Sequence, residues 1–165
     1  MSNQRRTALI SVWDKTGLPE LARSLVEMGF EIISTSGTAR ALKKEGIKVI
    51  HLPDYTGFPE LLDGRTKSLH PKVYAGILAL RDNPEHLAQI KAAGIRTIDV
   101  VVVNLYPFVE KLPSAGANLS QALKFIDIGG VALLRAAAKN FQCVVVLSDP
   151  ADYQWVAGKM KNRKA

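Results

Sequence analysis

Short apolar runs alternate with segments of helical period from one end of the chain to the other. Residues 7–12 predict a first strand, followed by a helix over about 18–28 with Pro19 in its first turn. Residues 31–34 predict a second strand, 39–45 a helix stopped by Gly46, and 48–52 a third strand. A helix over about 84–93 has Asn83 as its cap and ends at Gly94. Residues 98–103 are Ile and Val apart from Asp99, the pattern of a strand covered on both faces. An Ala- and Leu-rich helix over 131–140, a strand over 143–147 and a helix opening at Asp149-Pro150 complete the series. This rhythm predicts an α/β fold, a Rossmann-type parallel sheet with helices on both faces.

Two stretches interrupt the rhythm. The connection from Pro53 to about Lys72 runs to roughly twenty residues, longer than an ordinary turn in a compact domain. Residues 104–118, from Asn104-Leu105-Tyr106-Pro107 onward, form the second. Long loops on a rigid scaffold are where function concentrates.

Length and composition narrow the class. With 165 residues, 47% of them hydrophobic, the chain fits one domain with its own core. No run reaches the ~18 apolar residues of a membrane span, and the segment Met1–Arg6 carries no signal-peptide core, so a cytoplasmic protein without a membrane partner is expected. The net charge of +7 suggests nucleic acid until it is located. Arg5, Arg6, Lys159, Lys161, Arg163 and Lys164 lie outside all 15 acidic residues, and 16 cations remain between them. The excess is therefore assigned to two frayed ends, and no nucleic-acid partner is expected. Cys143 is the single cysteine, read as a small buried hydrophobe, and His51, His70 and His86 have no ligand-like spacing. No metal site is expected.

In an open parallel sheet, ligands bind outside the carboxyl ends of the strands. Three predicted strands end in suitable loops: Trp13-Asp14-Lys15-Thr16-Gly17, Ser34-Thr35-Ser36-Gly37-Thr38 and Asn104-Leu105-Tyr106. The second offers four hydroxyls and a glycine at a helix start, which suits a phosphate through amide and hydroxyl donors and the helix dipole. The alternative is an ordinary turn with Thr38 as N-cap. Arg65, Lys67 and Lys72, interleaved with Ser68 and His70, form either a solvated loop or a cationic cover over that phosphate. Asp127-Ile128-Gly129-Gly130 opens a helix with a pair of glycines that allow close backbone approach, and Asp127 is equally a helix cap. Lys139, at the far end of that helix, complements the C-terminal dipole.

Taken in order, Ser11-Val12-Trp13-Asp14-Lys15-Thr16-Gly17, residues 56–60, 64–71, 104–108, 126–130 and 135–140 resemble the motifs of the inosine monophosphate cyclohydrolase family, over about residues 7–153. The resemblance implies a methylglyoxal-synthase-like fold and a single cyclohydrolase domain over 1–165. In the family this is normally the N-terminal part of a bifunctional, homodimeric enzyme whose larger formyltransferase domain is absent from these residues. It implies dehydrative ring closure of 5-formamidoimidazole-4-carboxamide ribonucleotide to inosine monophosphate, the last step of de novo purine biosynthesis. The cyclohydrolase would need no metal or redox cofactor; formyl-tetrahydrofolate would serve only the formyltransferase.

Carried over by motif, Lys67, Tyr106, Asp127 and Lys139 are the catalytic candidates. Lys67 and Tyr106 would act at the formyl oxygen, Asp127 would orient or deprotonate the carboxamide, and Lys139 would give or take a proton. Ser11, Asp14, Lys15, Thr35, Ser36, Gly37, Thr38, Arg65, Thr66, Ser68, Val103, Asn104, Ile128 and Gly129 would bind phosphate, ribose or base. One role strains against geometry: a helix over 130–139 rises roughly 14 Å, which in a simple crossover sets Lys139 at the opposite sheet edge from Asp127.

Trp13 stands where relatives commonly have a small residue and Ser36 where they have glycine, where a positive φ would penalise a side chain. Both predict weaker substrate affinity. Thr66, Ser68 and Tyr74 are milder departures from Val, Thr and His. Two rivals share the fold. Methylglyoxal synthase needs a pattern of catalytic carboxylates not found here. The nucleotide-binding regulatory module of carbamoyl-phosphate synthetase catalyses nothing and would not need Tyr106, Asp127 and Lys139 together.

Overall fold

The apolar runs assemble into one sheet because each needs cover on both faces. In the computed structural model, which describes residues 6–115 and 119–162, β1 (Arg6–Val12) leads through α1 (Leu18–Glu27) to β2 (Phe30–Ser34). Next come α2 (Ser36–Lys44), β3 (Ile50–His51), α3 (Leu52–Thr56), a 3₁₀ turn (Leu62–Gly64), α4 (Pro71–Leu78) and α5 (Pro84–Ala92). The remainder is β4 (Val100–Asn104), α6 (Phe108–Ala115), α7 (Leu119–Leu123), α8 (Gly129–Lys139), β5 (Val145–Leu147), a 3₁₀ turn (Pro150–Asp152) and α9 (Tyr153–Asn162).

The five strands are all parallel, in the order β3-β2-β1-β4-β5. Strand residues alternate between two cores, as the period of two dictates. Ala8, Ile10, Val12, Val100 and Val102 pack with Leu21, Leu25, Leu42 and Tyr153 beneath α1, α2 and α9. Leu9, Ile33, Val101 and Val103 pack on the other face with Leu52, Val73, Ile77 and Leu133 of α3, α4 and α8. The expected doubly covered α/β sheet is present. Among the described residues no helix is long and apolar enough to cross a membrane.

Chain order creates the site. From β1 the chain steps outward to β2 and β3, then returns to place β4 on the other side of β1. Crossovers on the two sides of β1 therefore diverge, and a crevice opens between the carboxyl ends of β1 and β4. Register sets Ser11 opposite Val103 and Val12 opposite Asn104 at its floor.

Several expectations need correction. Helix α2 begins at Ser36, not residue 39, so Ser36, Gly37 and Thr38 form its first turn. The only positive-φ residues other than glycine among those described are Leu62 and Asp63, so Ser36 carries no left-handed penalty. The third strand is two residues long, because Leu52 turns into α3 and is buried there. The long connection holds α3 and the 3₁₀ turn and ends where α4 begins, an unpredicted helix with Gly76 in its interior. That glycine allows close packing: a Cβ on it would lie 2.6 Å from the Arg96 carbonyl oxygen, and its own carbonyl accepts from Ile98 N at 2.9 Å. The second loop contains α6, with α7 directly after it, and residues 116–118 of the loop lie outside the described part. Nor is the basic excess confined to frayed ends. Arg6 lies over the Phe30 ring at 4.3 Å and donates to the Met28 carbonyl, while Lys161 on α9 pairs with Glu27 at 2.8 Å. Arg5, Arg163 and Lys164 lie outside the described residues.

Candidate active site at the sheet switch point

The floor of the crevice is tied together by hydroxyls. Thr38, in the first turn of α2, both accepts from Val12 N and donates to the Val12 carbonyl, each at 3.1 Å. Ser11 and Thr35 share a hydrogen bond at 3.0 Å, and buried Ser34 donates to the Ile10 carbonyl at 2.7 Å. Thr38 is thus a buried brace and not the N-cap. Thr35 occupies the cap position but makes no side-chain cap bond. The first turn of α2 consequently keeps its amide donors for an outside acceptor, and a Cβ on Gly37 would meet open space.

Asn104 fixes the turn after β1. Its Oδ1 accepts from Trp13 N and Asp14 N at 2.7 and 2.8 Å, and its Nδ2 donates to the Asp14 carbonyl at 2.8 Å. Its role here is to position the loop. The Asp14 carboxylate accepts from the hydroxyl and the amide of Thr16 at 2.7 and 2.9 Å. Those two bonds, with Lys15 nearby, hold its carboxyl below the ordinary range. Lys15 is exposed, with Nζ 3.0 Å from the Trp13 carbonyl.

The other segments close over this floor. Gly64 lies under Lys67: a Cβ there would be 3.6 Å from Lys67 Cδ and 3.8 Å from its Nζ. Ser68 is buried and abuts Gly129 so closely that any side chain at 129 would overlap its hydroxyl. Gly130 admits the Asp127 carboxylate and the Leu105 side chain, which a Cβ would meet at 2.5 and 2.8 Å. The sequence Gly129-Gly130 is therefore required by Ser68 and Leu105, one from each long loop, and by the Asp127 carboxylate. Asp127 accepts from Gly130 N at 2.7 Å, so it does cap α8. One of its oxygens is engaged in this way, at the meeting point of Ser68 and Leu105.

Tyr106 is half exposed, its ring 4.7 Å from Trp13 and 6.5 Å from Phe125. Contacts thus link Ser11 with Thr35, Thr38 with Val12, Trp13 and Asp14 with Asn104, and Trp13 with Lys15 and Tyr106. A second set joins Ser68, Leu105 and Asp127 around Gly129 and Gly130, and both sets lie at the carboxyl edge of the sheet. Lys67 precedes Ser68 in the chain and lies over Gly64. Arg65 is exposed, Thr66 half-buried and Ile128 exposed along the same segments, and Val103 is wholly buried beneath them. Lys139 stands apart. It is the last residue of α8, roughly 15 Å from Gly129 at 1.5 Å per residue. The next residue, Asn140, donates to the carbonyls of Ile77 and Ala79 at the end of α4.

Two features escaped the sequence reading. His51 and Glu60 both reach Ser36: His51 Nε2 lies 3.0 Å from its Oγ, and that Oγ donates to Glu60 Oε1. Glu60 belongs to the motif over residues 56–60, but its partner is 24 residues away and gives no local signal. Tyr153 also reaches the crevice from α9, its hydroxyl 3.4 Å from Asn104 Nδ2. Burial pushes that phenol up to about 12. Among the described residues no group of His, Cys, Asp and Glu could hold a metal ion.

Comparison with known proteins follows the same segments. The MGS-like domain family model matches residues 17–132. The chain is 57% identical over 159 residues to the bifunctional purine biosynthesis protein PurH of Acetivibrio thermocellus, covering 96% of this chain and 31% of that protein. For the PurH protein of Persephonella marina the figures are 52% over 158 residues, 96% and 30%. A crystal structure of ForH superimposes with a TM-score of 0.84 at 37% identity, covering 96% of this chain and 80% of that one. The chain spans about 30% of the length of the curated relatives it matches. Since the family match extends over well more than half of its residues, from the turn after β1 into α8, the chain belongs to the MGS-like domain family.

Proposed function

We propose that the chain is the cyclohydrolase portion of a purine-biosynthesis enzyme and closes 5-formamidoimidazole-4-carboxamide ribonucleotide to inosine monophosphate. The observation that carries this reading is the joining of Ser68, Leu105, Asp127 and Gly129, from three of the resembling motifs, at the sheet edge that also presents the open first turn of α2. The identity to PurH proteins along nearly the whole chain supports the same reaction.

The phosphate is assigned to the α2 turn, with Thr35, Ser36, Gly37 and Lys15 as donors. Arg65 and Ser68 face the ribose side, and the base lies toward Tyr106 and Asp127. The carboxamide nitrogen attacks the formyl carbon, forming a C–N bond while the carbonyl electron pair moves onto oxygen. Lys67 and the Tyr106 hydroxyl stabilise and protonate that oxygen. Asp127 takes a proton from the attacking nitrogen. In the carbinolamine so formed the C–O bond then breaks, and the hydroxyl takes up a proton and leaves as water. The former formamide nitrogen gives up its proton as the C=N bond forms. Because both reacting groups sit on one ring, holding them in line supplies much of the acceleration. The substrate needs no oxidant or group donor for this step. Lys139, roughly 15 Å from Gly129 along α8, is assigned no step at the site of its own chain. Its proton-transfer role requires a second copy, in the homodimer the resemblance implies.

The test is a spectrophotometric assay of the purified chain with the formylated ribonucleotide. Turnover above the spontaneous rate, lost in Lys67→Ala at unchanged thermal stability, is the expected result. Failure of the wild-type chain to exceed the spontaneous rate would remove the assignment.

A further inference from the structure

Where the proposed phosphate seat faces solvent, a carboxylate already sits. Ser36, in the first turn of α2, donates its hydroxyl to Glu60 Oε1. His51 Nε2 lies 3.0 Å from that hydroxyl and 4.0 Å from the same carboxylate oxygen. The other oxygen extends over Gly64, where a Cβ would lie 3.6 Å from Glu60 Oε2 and 3.8 Å from Lys67 Nζ. One side chain thus holds the hydroxyl assigned to the substrate phosphate and lies beside Gly64, over which Lys67 also extends. We propose that Glu60 is the resident counter-anion of this seat in the free protein, a latch that the substrate phosphate must displace. The inference rests on the phosphate reading of α2.

The physical case is competitive. A carboxylate and a phosphate want the same donors, and like charges at contact distance repel strongly where water is partly excluded. Both cannot occupy Ser36 together. Being tethered, Glu60 holds the seat at high effective concentration, so the apparent affinity for an incoming anion is reduced by the fraction of molecules in which it has swung away. The chain around it permits that swing. Gly57, with φ 73°, ends α3, and residues 58–61 that follow have no regular structure and are exposed. Ser36 acquires a purpose: a glycine there would offer no hydroxyl to hold the latch.

Calorimetric titration of the intact chain with inorganic phosphate and with inosine monophosphate tests the idea on Glu60→Gln, which keeps the size and the acceptor for Ser36 but not the charge. If the latched form is about nine-tenths of the population, both ligands bind roughly tenfold more tightly to the variant. Glu60→Ala tightens binding in the same direction, and thermal melts establish that each variant is folded. Equal or weaker binding by folded variants, with the wild type still binding, overturns the latch and leaves the seat intact. Absence of binding by the wild type and both variants removes the phosphate reading and the latch with it.

Discussion

The side chain of Asn104 grips the backbone of Asp14 from both directions, accepting from its N–H at 2.8 Å and donating to its carbonyl at 2.8 Å. An amide is the one group of this size that presents a donor and an acceptor side by side. The loop after β1 is thereby locked to the end of β4, across the crevice where the chain reverses its direction of travel through the sheet.

Asn104→Asp removes the donor and sets a carboxylate against the Asp14 carbonyl. It is expected to lower stability by about 1–3 kcal/mol, the cost of an unmade hydrogen bond beside a misplaced charge. Urea unfolding measures this. Turnover is expected to fall with it, because Trp13, Asp14 and Lys15 lose their anchor.

Gly129→Ala forces a methyl group onto the Ser68 hydroxyl and is expected to cost about 1–3 kcal/mol through overpacking. Adding Ser68→Ala removes the obstructing oxygen, and most of the loss in thermal stability returns. A double mutant no more stable than Gly129→Ala alone would mean that backbone conformation, not this contact, requires the glycine.

Mixing two inactive variants locates Lys139. When Lys67→Ala and Lys139→Ala chains are exchanged into mixed dimers, a site built across two copies is restored in roughly a quarter of positions. A site confined to one chain regains nothing. The expected outcome is restoration, since Lys139 lies roughly 15 Å from the start of its own α8.

Trp13 and Trp155 are the two tryptophans, and the Trp13 ring lies 4.7 Å from that of Tyr106. In Trp155→Phe, the remaining fluorescence reports on the crevice. Titration with inosine monophosphate is expected to change it saturably, while the same titration of Trp13→Phe leaves the Trp155 signal unaltered.

Tyr153 gives a pH signature. Its phenol is buried and ionises only near about 12, against about 10 in the unfolded chain. As pH rises the unfolded chain releases the proton first, so stability falls between about pH 10 and pH 12 and is untouched below that window. Ultraviolet titration is expected to show tyrosinate appearing last at this position, a step missing in Tyr153→Phe.

Periodicity reached the core elements because burial on both faces writes itself into continuous Ile and Val, as at residues 100–103, and because Asn83 caps α5 through neighbours two and three residues away. The motifs likewise pointed to the segments proposed as the site, since each is a strand end or a helix start with its own local chemistry. Other features had no local trace. Helix α4 carries Gly76 in its interior, a residue that breaks the helical pattern and is small because the Arg96 carbonyl approaches it from the connection between α5 and β4. Ser36 suggested a strained turn until the α2 start placed it in a helix, where its hydroxyl meets Glu60. By itself the sequence determined the parallel α/β class and the set of residues available for chemistry, through spacing and side-chain type. Only the tertiary structure decided which of them meet, because strand order β3-β2-β1-β4-β5 draws Thr38, Trp13 and Asn104 to one edge, while the length of α8 carries Lys139 away from it.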